Sequence, residues 1–295
     1  MDAKSINLED WELFGGGGNG LSYYHKTDES IMLKLNKEEI SKEKTEIEYS
    51  RSKKLNEQGL ACPAVYDFVT DGKRYGMTMQ RIKGKKSYAR IISEDPSRLR
   101  ELAIRFARMT RELHSIECDT SAFISNHAAL KSRINGTDAI PADIRQMLTG
   151  YIDSFDNVAF GVHGDLNPGN IIQTEDGKDF WIDLGDFSYG DPDYDICSLL
   201  FLSSYTPAKV VEYLFHITRK QCAEILEIFG REYYGDKWHT PELDEKLHRI
   251  LMVKAGATIA KNPRAAKLYL PLLKGQKLRQ KFVGFIVDHL MKKYN

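Results

Sequence analysis

HGDLNPGN (His163–Asn170), followed after a short gap by FWIDLGD (Phe180–Asp186), sets turn-forming and polar residues between two apolar runs. An Asp in a fixed loop, an Asn five residues on and an Asp ending the next strand match the needs of phosphoryl transfer. In that reading Asp165 orients and deprotonates a hydroxyl, and Asn170 and Asp183 hold Mg²⁺ against nucleotide phosphates. Mg²⁺ takes oxygen ligands and keeps several waters, so one amide and one carboxylate suffice. The competing reading is a polar turn in which Asn and Asp bond the backbone and Pro168 and Gly169 make the bend. Residues upstream bear on the choice.

In IMLKL (Ile31–Leu35) the apolar residues Ile31, Leu33 and Leu35 alternate onto one face, leaving Met32 and Lys34 on the other. Lys34 therefore points toward a cleft or water. In the charged helical stretch that follows, from about Lys37 to Gln58, a wheel through Ile40, Ile47 and Leu55 puts Glu48 and Glu43 at the stripe margins. Glu48 is the first choice of partner for Lys34 and Glu43 the second; such a pair would hold the lysine on nucleotide phosphates. Earlier still lies GGGGNG (Gly15, Gly16, Gly17, Gly18, Asn19, Gly20), between two β-like runs. Backbone N–H groups in so glycine-rich a hairpin can cradle phosphates, and a flexible turn is the alternative. The G-K-[ST] ending of a Walker loop is missing, and no parallel βαβ pattern follows.

At 295 residues, with 42% apolar and 28% charged residues, the chain can bury a sizeable core. No run approaches the ~18 apolar residues of a membrane span. The start, MDAKSINLEDWELF, lacks the basic and apolar regions of a secretory signal, so a cytoplasmic location is expected. Four separated cysteines form no C-x-x-C pair and read as buried thiols. Net charge is zero, but from Glu245 onward twelve Lys or Arg face two acidic residues. That basic end reads as a solvated helical face, and with no nucleic-acid-binding motif beside it no nucleic-acid partner is expected. Short β-like runs dominate up to RIKGKK (Arg81–Lys86) and helical periodicity thereafter. The expected organisation is an α+β chain: a nucleotide-binding β-rich lobe over residues 1–83, and a catalytic, acceptor-binding helical lobe over 84–295. The latter carries one short strand pair around the opening stretch.

The glycine loop, IMLKL, MTMQRI, HGDLNPGN and WIDLGD, in that order, resemble the aminoglycoside phosphotransferase and choline kinase group of the protein-kinase-like fold. The resemblance implies a two-lobed kinase with Asp165 as base and Asn170 and Asp183 as metal ligands. It also implies that backbone groups of Gln80 and Ile82 bind the base of the nucleotide, with Met79 behind it. Asp195 in DPDYDI resembles the aspartate that braces the catalytic loop, and His163 reads as a second brace. Gly164 stands where protein kinases have an arginine that reads a phosphorylated loop, and only a dozen residues separate Asp183 from Asp195. A small-molecule hydroxyl acceptor with ATP or GTP as donor fits better than a protein, and Asp186 could border its pocket. Alternatives are a catalytically silent nucleotide-binding regulator, a two-metal phosphoesterase and a protein kinase. No membrane partner is expected, and oligomeric state is unreadable. The basic end favours a neutral or anionic acceptor over a polycationic aminoglycoside.

Overall fold

Alternating and helical apolar patterns sort themselves into separate elements along the chain. The computed structural model describes residues 1–16 and 20–275. Its strands are β1 (Lys4–Ser5), β2 (Trp11–Gly16), β3 (Gly20–His25), β4 (Ile31–Asn36), β5 (Val65–Thr70), β6 (Tyr75–Gln80), β7 (Lys86–Ser87), β8 (Gly161–Val162), β9 (Ile171–Gln173), β10 (Asp179–Trp181) and β11 (Ser188–Tyr189). Its α-helices are α1 (Lys42–Glu57), α2 (Tyr88–Glu94), α3 (Leu99–His114), α4 (Asn126–Asn135), α5 (Ala142–Asp153), α6 (Asp193–Ser204), α7 (Ala208–Phe215), α8 (Arg219–Tyr234), α9 (Pro241–Lys261) and α10 (Ala266–Leu273). None of the described helices is long and apolar enough to cross a membrane. Two compact units result: Met1–Ser87 with Ile171–Gly185, and Tyr88–Asn170 with the described residues from Asp186 onward.

The first unit is built on a six-stranded sheet in the order β1-β5-β6-β4-β3-β2, antiparallel except for the β1/β5 pair. Period-two alternation gives it two apolar faces. Trp11, Leu33, Leu35 and Val69 pack on one, while Val65, Phe68 and Met77 pack with Tyr49 of α1 on the other. A register shift between Val65 and Phe68 puts these two residues, three apart in sequence, on the same face of β5. Helix α1 departs from the wheel expected for it. Ile40 lies outside the helix, because Ser41 is the N-cap, and Ile47 is 49% exposed. The face that packs on the sheet instead carries Thr45, Tyr49 and Leu55, with the Tyr49 hydroxyl donating to the Tyr66 carbonyl at 3.0 Å.

The hairpin β9–β10, which the sequence pattern groups with the helical residues, is compact with the sheet unit. Strand β7 pairs with β9 (Lys86 with Gln173, Ser87 with Ile172), and the Trp181 amide donates to the Ala61 carbonyl at 2.7 Å. These are partners distant in sequence, which no local pattern reveals.

In the second unit, α3 buries a stripe at helical spacing: Leu99, Leu102, Ala103, Phe106, Thr110 and Leu113. It packs on α8, where the rings of Phe106 and Phe229 meet edge to face at 5.1 Å. Helix α9 is apolar on several sides, with Ile250, Leu251, Val253, Ala255 and Ile259 buried, and α4, α5, α6 and α10 pack around it. Lys246 of α9 bridges Asp191 at 2.8 Å and Asp193 at 2.7 Å, fixing the chain where α6 begins. The four cysteines are free and buried.

Phe229 also stacks on Tyr233, whose hydroxyl is 2.6 Å from His114 Nδ1. Phe229→Ala, which empties a fully buried ring site, is expected to cost about 3–5 kcal/mol. Urea unfolding followed by circular dichroism measures it; a loss below about 1 kcal/mol would show that the α3–α8 seam does not hold this unit together.

Candidate functional site

The sequence-predicted residues fall into two groups, one in each unit. In the first unit, Leu33 and Leu35 are fully buried in the sheet core, so alternation turns Met32 and Lys34 to the opposite face, where both line a cavity of about 240 Å³. Lys34 Nζ donates to Glu48 Oε1 at 2.6 Å. The other carboxylate oxygen accepts from Asn36 Nδ2 at 3.4 Å, and that amide also donates to Thr45 Oγ1 at 3.0 Å. Glu43 is exposed in the first turn of α1.

The same cavity is lined by Met79, Lys85, Trp181 and Asp183. Asp183 follows β10 with a φ of +59°, a left-handed conformation costly for a residue with a Cβ. Cys62 also borders the cavity, and burial pushes its thiol up to about 12, which removes it as a nucleophile. Gln80 and Ile82 are not among the lining side chains. The Gln80 amide donates to the Ala64 carbonyl at 2.7 Å, and the Ile82 side chain is buried.

Of the glycine loop, Gly15, Gly16 and Gly20 are described, whereas Gly17, Gly18 and Asn19 lie outside the described residues. A Cβ on Gly20 would come within 2.6 Å of the Leu35 carbonyl oxygen, so the sheet itself requires glycine there; one on Gly15 would meet nothing within 4 Å.

In the second unit the segment 163–170 is held by one carboxylate. Asp195, fully buried in the first turn of α6, accepts from the His163 amide at 2.6 Å, the Gly164 amide at 2.8 Å and His114 Nε2 at 3.0 Å. Burial by itself would raise the Asp195 carboxyl. The His114 hydrogen bond and charge, with His163 and the Gly164 amide, outweigh it and hold the group below the usual carboxylate range. Gly164 has a φ of +86°, and a Cβ there would be 2.5 Å from the Asp186 carbonyl oxygen, so only glycine fits.

The result is a loop buried at His163, Leu166, Asn167 and Pro168 but exposed at Asp165. The Asp165 carbonyl accepts from Asn167 Nδ2 at 3.0 Å and Asn170 Nδ2 at 2.9 Å. The Asn170 amide nitrogen also lies 3.4 Å from Asp165 Oδ2, which orients the carboxylate and leaves Asn170 Oδ1 for a cation. Asp186 is exposed, with Arg133 Nη2 3.8 Å from one oxygen and Lys261 Nζ 3.9 Å from the other.

Neither His114 nor Lys85 stands in a recognisable motif. His114 carried a usable signal, a titratable group on the inward stripe of an amphipathic helix. Lys85 carried none, standing among the other cations of RIKGKK.

Comparison with known proteins bears on what this arrangement is. The ADP-bound aminoglycoside phosphotransferase APH(2'')-Ib matches with a TM-score of 0.58 at 18% identity, covering 96% of this chain and 92% of that one. Choline kinase LicA from Streptococcus pneumoniae matches with a TM-score of 0.57 at 15% identity, again over 96% and 92%. The streptomycin–ATP ternary complex of APH(2'')-IIa matches with a TM-score of 0.55 at 20% identity, over 85% and 86%. At these identities the likeness establishes the fold, an α+β protein-kinase-like one. No curated protein matches the sequence significantly. The model of the phosphotransferase enzyme family matches residues 10–242, most of the chain, and shows that this protein belongs to that family.

Proposed function

We propose that this phosphotransferase moves the γ-phosphoryl group of ATP or GTP to a hydroxyl of a small-molecule acceptor, with Asp165 as general base. The observation that carries the reading is the exposure of Asp165 on a loop whose neighbours are buried and pinned through Asp195. A protein that only bound nucleotide would need no such group. Lys34, fixed by Glu48, is suited to the donor phosphates, and Met79 to the purine. Asn170 Oδ1 and the Asp183 carboxylate are oxygen donors of the kind Mg²⁺ takes, and Mg²⁺, when bound, neutralises charge on the β- and γ-phosphates. Backbone groups of Gln80 and Ile82 as base contacts and the glycine loop as a phosphate cradle belong to the same proposal. So does the division of labour between residues 1–83 and 84–295, with the β9–β10 hairpin added to the donor side.

The acceptor hydroxyl passes its proton to Asp165 as its oxygen attacks the γ-phosphorus, and the nucleoside diphosphate leaves with the former bridging oxygen. His163 and Asp195 position this carboxylate and do not exchange protons with the acceptor. Among the described residues no three His, Cys, Asp or Glu side chains cluster as metal ligands, a set a two-metal phosphoesterase would use. The streptomycin-bound neighbour and the choline kinase support a small-molecule acceptor. Here Arg133 and Lys261 bracket Asp186, so that carboxylate is already compensated, and a neutral or anionic acceptor suits the site better than a polycation. Lys254 contributes nothing to this, being held by Ser198 Oγ at 2.5 Å and the Tyr194 ring. Lys277 and Arg279 lie outside the described residues.

Asp165→Asn is expected to lower kcat by about 10²–10⁴ while leaving the nucleotide Kd within about twofold. Single-turnover transfer and calorimetric titration read the two quantities, and normal turnover would remove Asp165 as the base. Asp183→Asn should raise the Mg²⁺ concentration for half-maximal ATP binding by at least about tenfold, since even loss of a group that merely supports a metal ligand typically costs that much. Asp186→Asn should leave it unchanged, and the reverse result would exchange their roles. Acceptor assays should show saturable phosphorylation of neutral or anionic polyols; saturation with aminoglycosides alone would overturn the acceptor assignment.

A further inference from the structure

The cavity of the first unit contains a second lysine besides Lys34. Lys85 lies between Gly84 and β7, and its direction is dictated by the backbone on both sides. Gly84 is left-handed at φ +57°, where a Cβ would come within 2.8 Å of the Glu175 side chain, and Lys86 and Ser87 are paired to β9. Consecutive side chains of an extended segment alternate, so with Lys86 exposed, Lys85 is directed to the cavity, which it lines with Lys34, Met79, Trp181 and Asp183.

The two lysines are electrostatically unlike. Lys34 is neutralised by Glu48 at 2.6 Å. Lys85 has no carboxylate partner within ion-pair distance among the described residues, and the charge that acts on it is a like one, Arg81. Arg81 cannot easily retreat, because its guanidinium sits 3.5 Å over the Tyr24 ring, itself stacked on Phe14 at 3.7 Å. Burial first, and Arg81 second, lower the Lys85 pKa, the signature of a cation deprived of water and given no counter-ion in return. An ammonium kept in such a place is costly unless a ligand supplies the opposite charge.

We propose that Lys85 is a second phosphate-binding cation of the donor site, pairing directly with the phosphates of the nucleotide. The assignment rests on the nucleotide-binding reading above and extends it. Charge balance supports it: a nucleoside triphosphate stays anionic even with one divalent cation on it, Asp183 adds another negative charge, and the Lys34–Glu48 pair is neutral. Among the described residues that line the cavity, Lys85 is the one left with an uncompensated positive charge to meet that excess.

The test compares adenosine, ADP and ATP, with Mg²⁺ present, by calorimetric titration against wild-type protein, Lys85→Met and Lys85→Gln. Methionine keeps the apolar stem and glutamine keeps a donor, while both remove the charge. Wild-type protein should bind all three. In both variants ATP and ADP should weaken about tenfold to hundredfold, as expected for loss of a charge-assisted hydrogen bond, and adenosine should change less than about twofold. The unliganded Lys85→Met protein should melt no lower than wild type, since it loses an unpaired desolvated charge. Equal losses for adenosine and ATP, or unchanged ATP affinity, would overturn the role of Lys85 while leaving the donor reading intact. Failure of wild-type protein to bind any of the three would instead remove the donor reading itself, and this assignment with it. Lys85→Arg should recover most of the ATP affinity; no recovery would also count against a charge interaction.

Discussion

The carboxylate of Asp195 is the constraint on which the second unit's chemistry depends. A fully buried carboxylate with no partners would be protonated or would push the helix apart. Here it is kept ionised by two backbone amides and His114, and the helix N-terminus it occupies favours negative charge. Those same two amides belong to His163 and Gly164, so the groups that stabilise the buried charge also fix the backbone immediately before Asp165. The tether continues outward through His114 to Tyr233 and the α3–α8 seam, and through Asp191, Asp193 and Lys246 to α9. Position of the exposed carboxylate is thus set by packing some distance from it, which is how a loop can be held to the tolerance phosphoryl transfer requires.

The first unit applies the same economy with opposite charge. Strand alternation alone decides that Lys34 leaves the core, and Glu48 meets it because α1 lies on β5 and β6. Asn36, the last residue of β4, ties the outer oxygen of Glu48 to the strand that carries Lys34. A lysine so anchored has already given up conformational freedom that one swinging from a surface would lose on meeting an anion.

How far such features can be read from sequence depends on whether they are local. The β-like runs before residue 81, the outward face of Lys34 and the helical periodicity beyond residue 86 are all set by nearest neighbours, and are legible in the sequence. The protein-kinase-like fold was legible through the order of its motifs. The wheel for α1 was misplaced because Ser41 starts the helix after Ile40, shifting the buried stripe to Thr45, Tyr49 and Leu55, although Glu48 lies at the margin of either stripe. The hairpin that ends near Asp183 was assigned to the wrong unit, since its partners, Ala61 and Lys86–Ser87, are distant in sequence. For His114 the inward stripe of α3 marks a buried titratable group, but not its partner, which lies 81 residues away.

Glycines show most plainly why motif reading and structure differ in what they explain. A phosphate-cradling loop and a crowded sheet both call for glycine, and sequence cannot separate the two demands. Gly20 is fixed by the Leu35 carbonyl and Gly164 by the Asp186 carbonyl, in each case by protein backbone at under 3 Å and not by any ligand. Gly15, with open space around its missing Cβ and a register shift of β2 beside it, has no such internal reason. Glycine at positions 20 and 164 is thus explained by packing whether or not a ligand binds beside it, whereas Lys85 stands in no motif. A charge left without a partner where the backbone compels it to stay is a stronger sign of an absent ligand than a glycine that the sheet already requires.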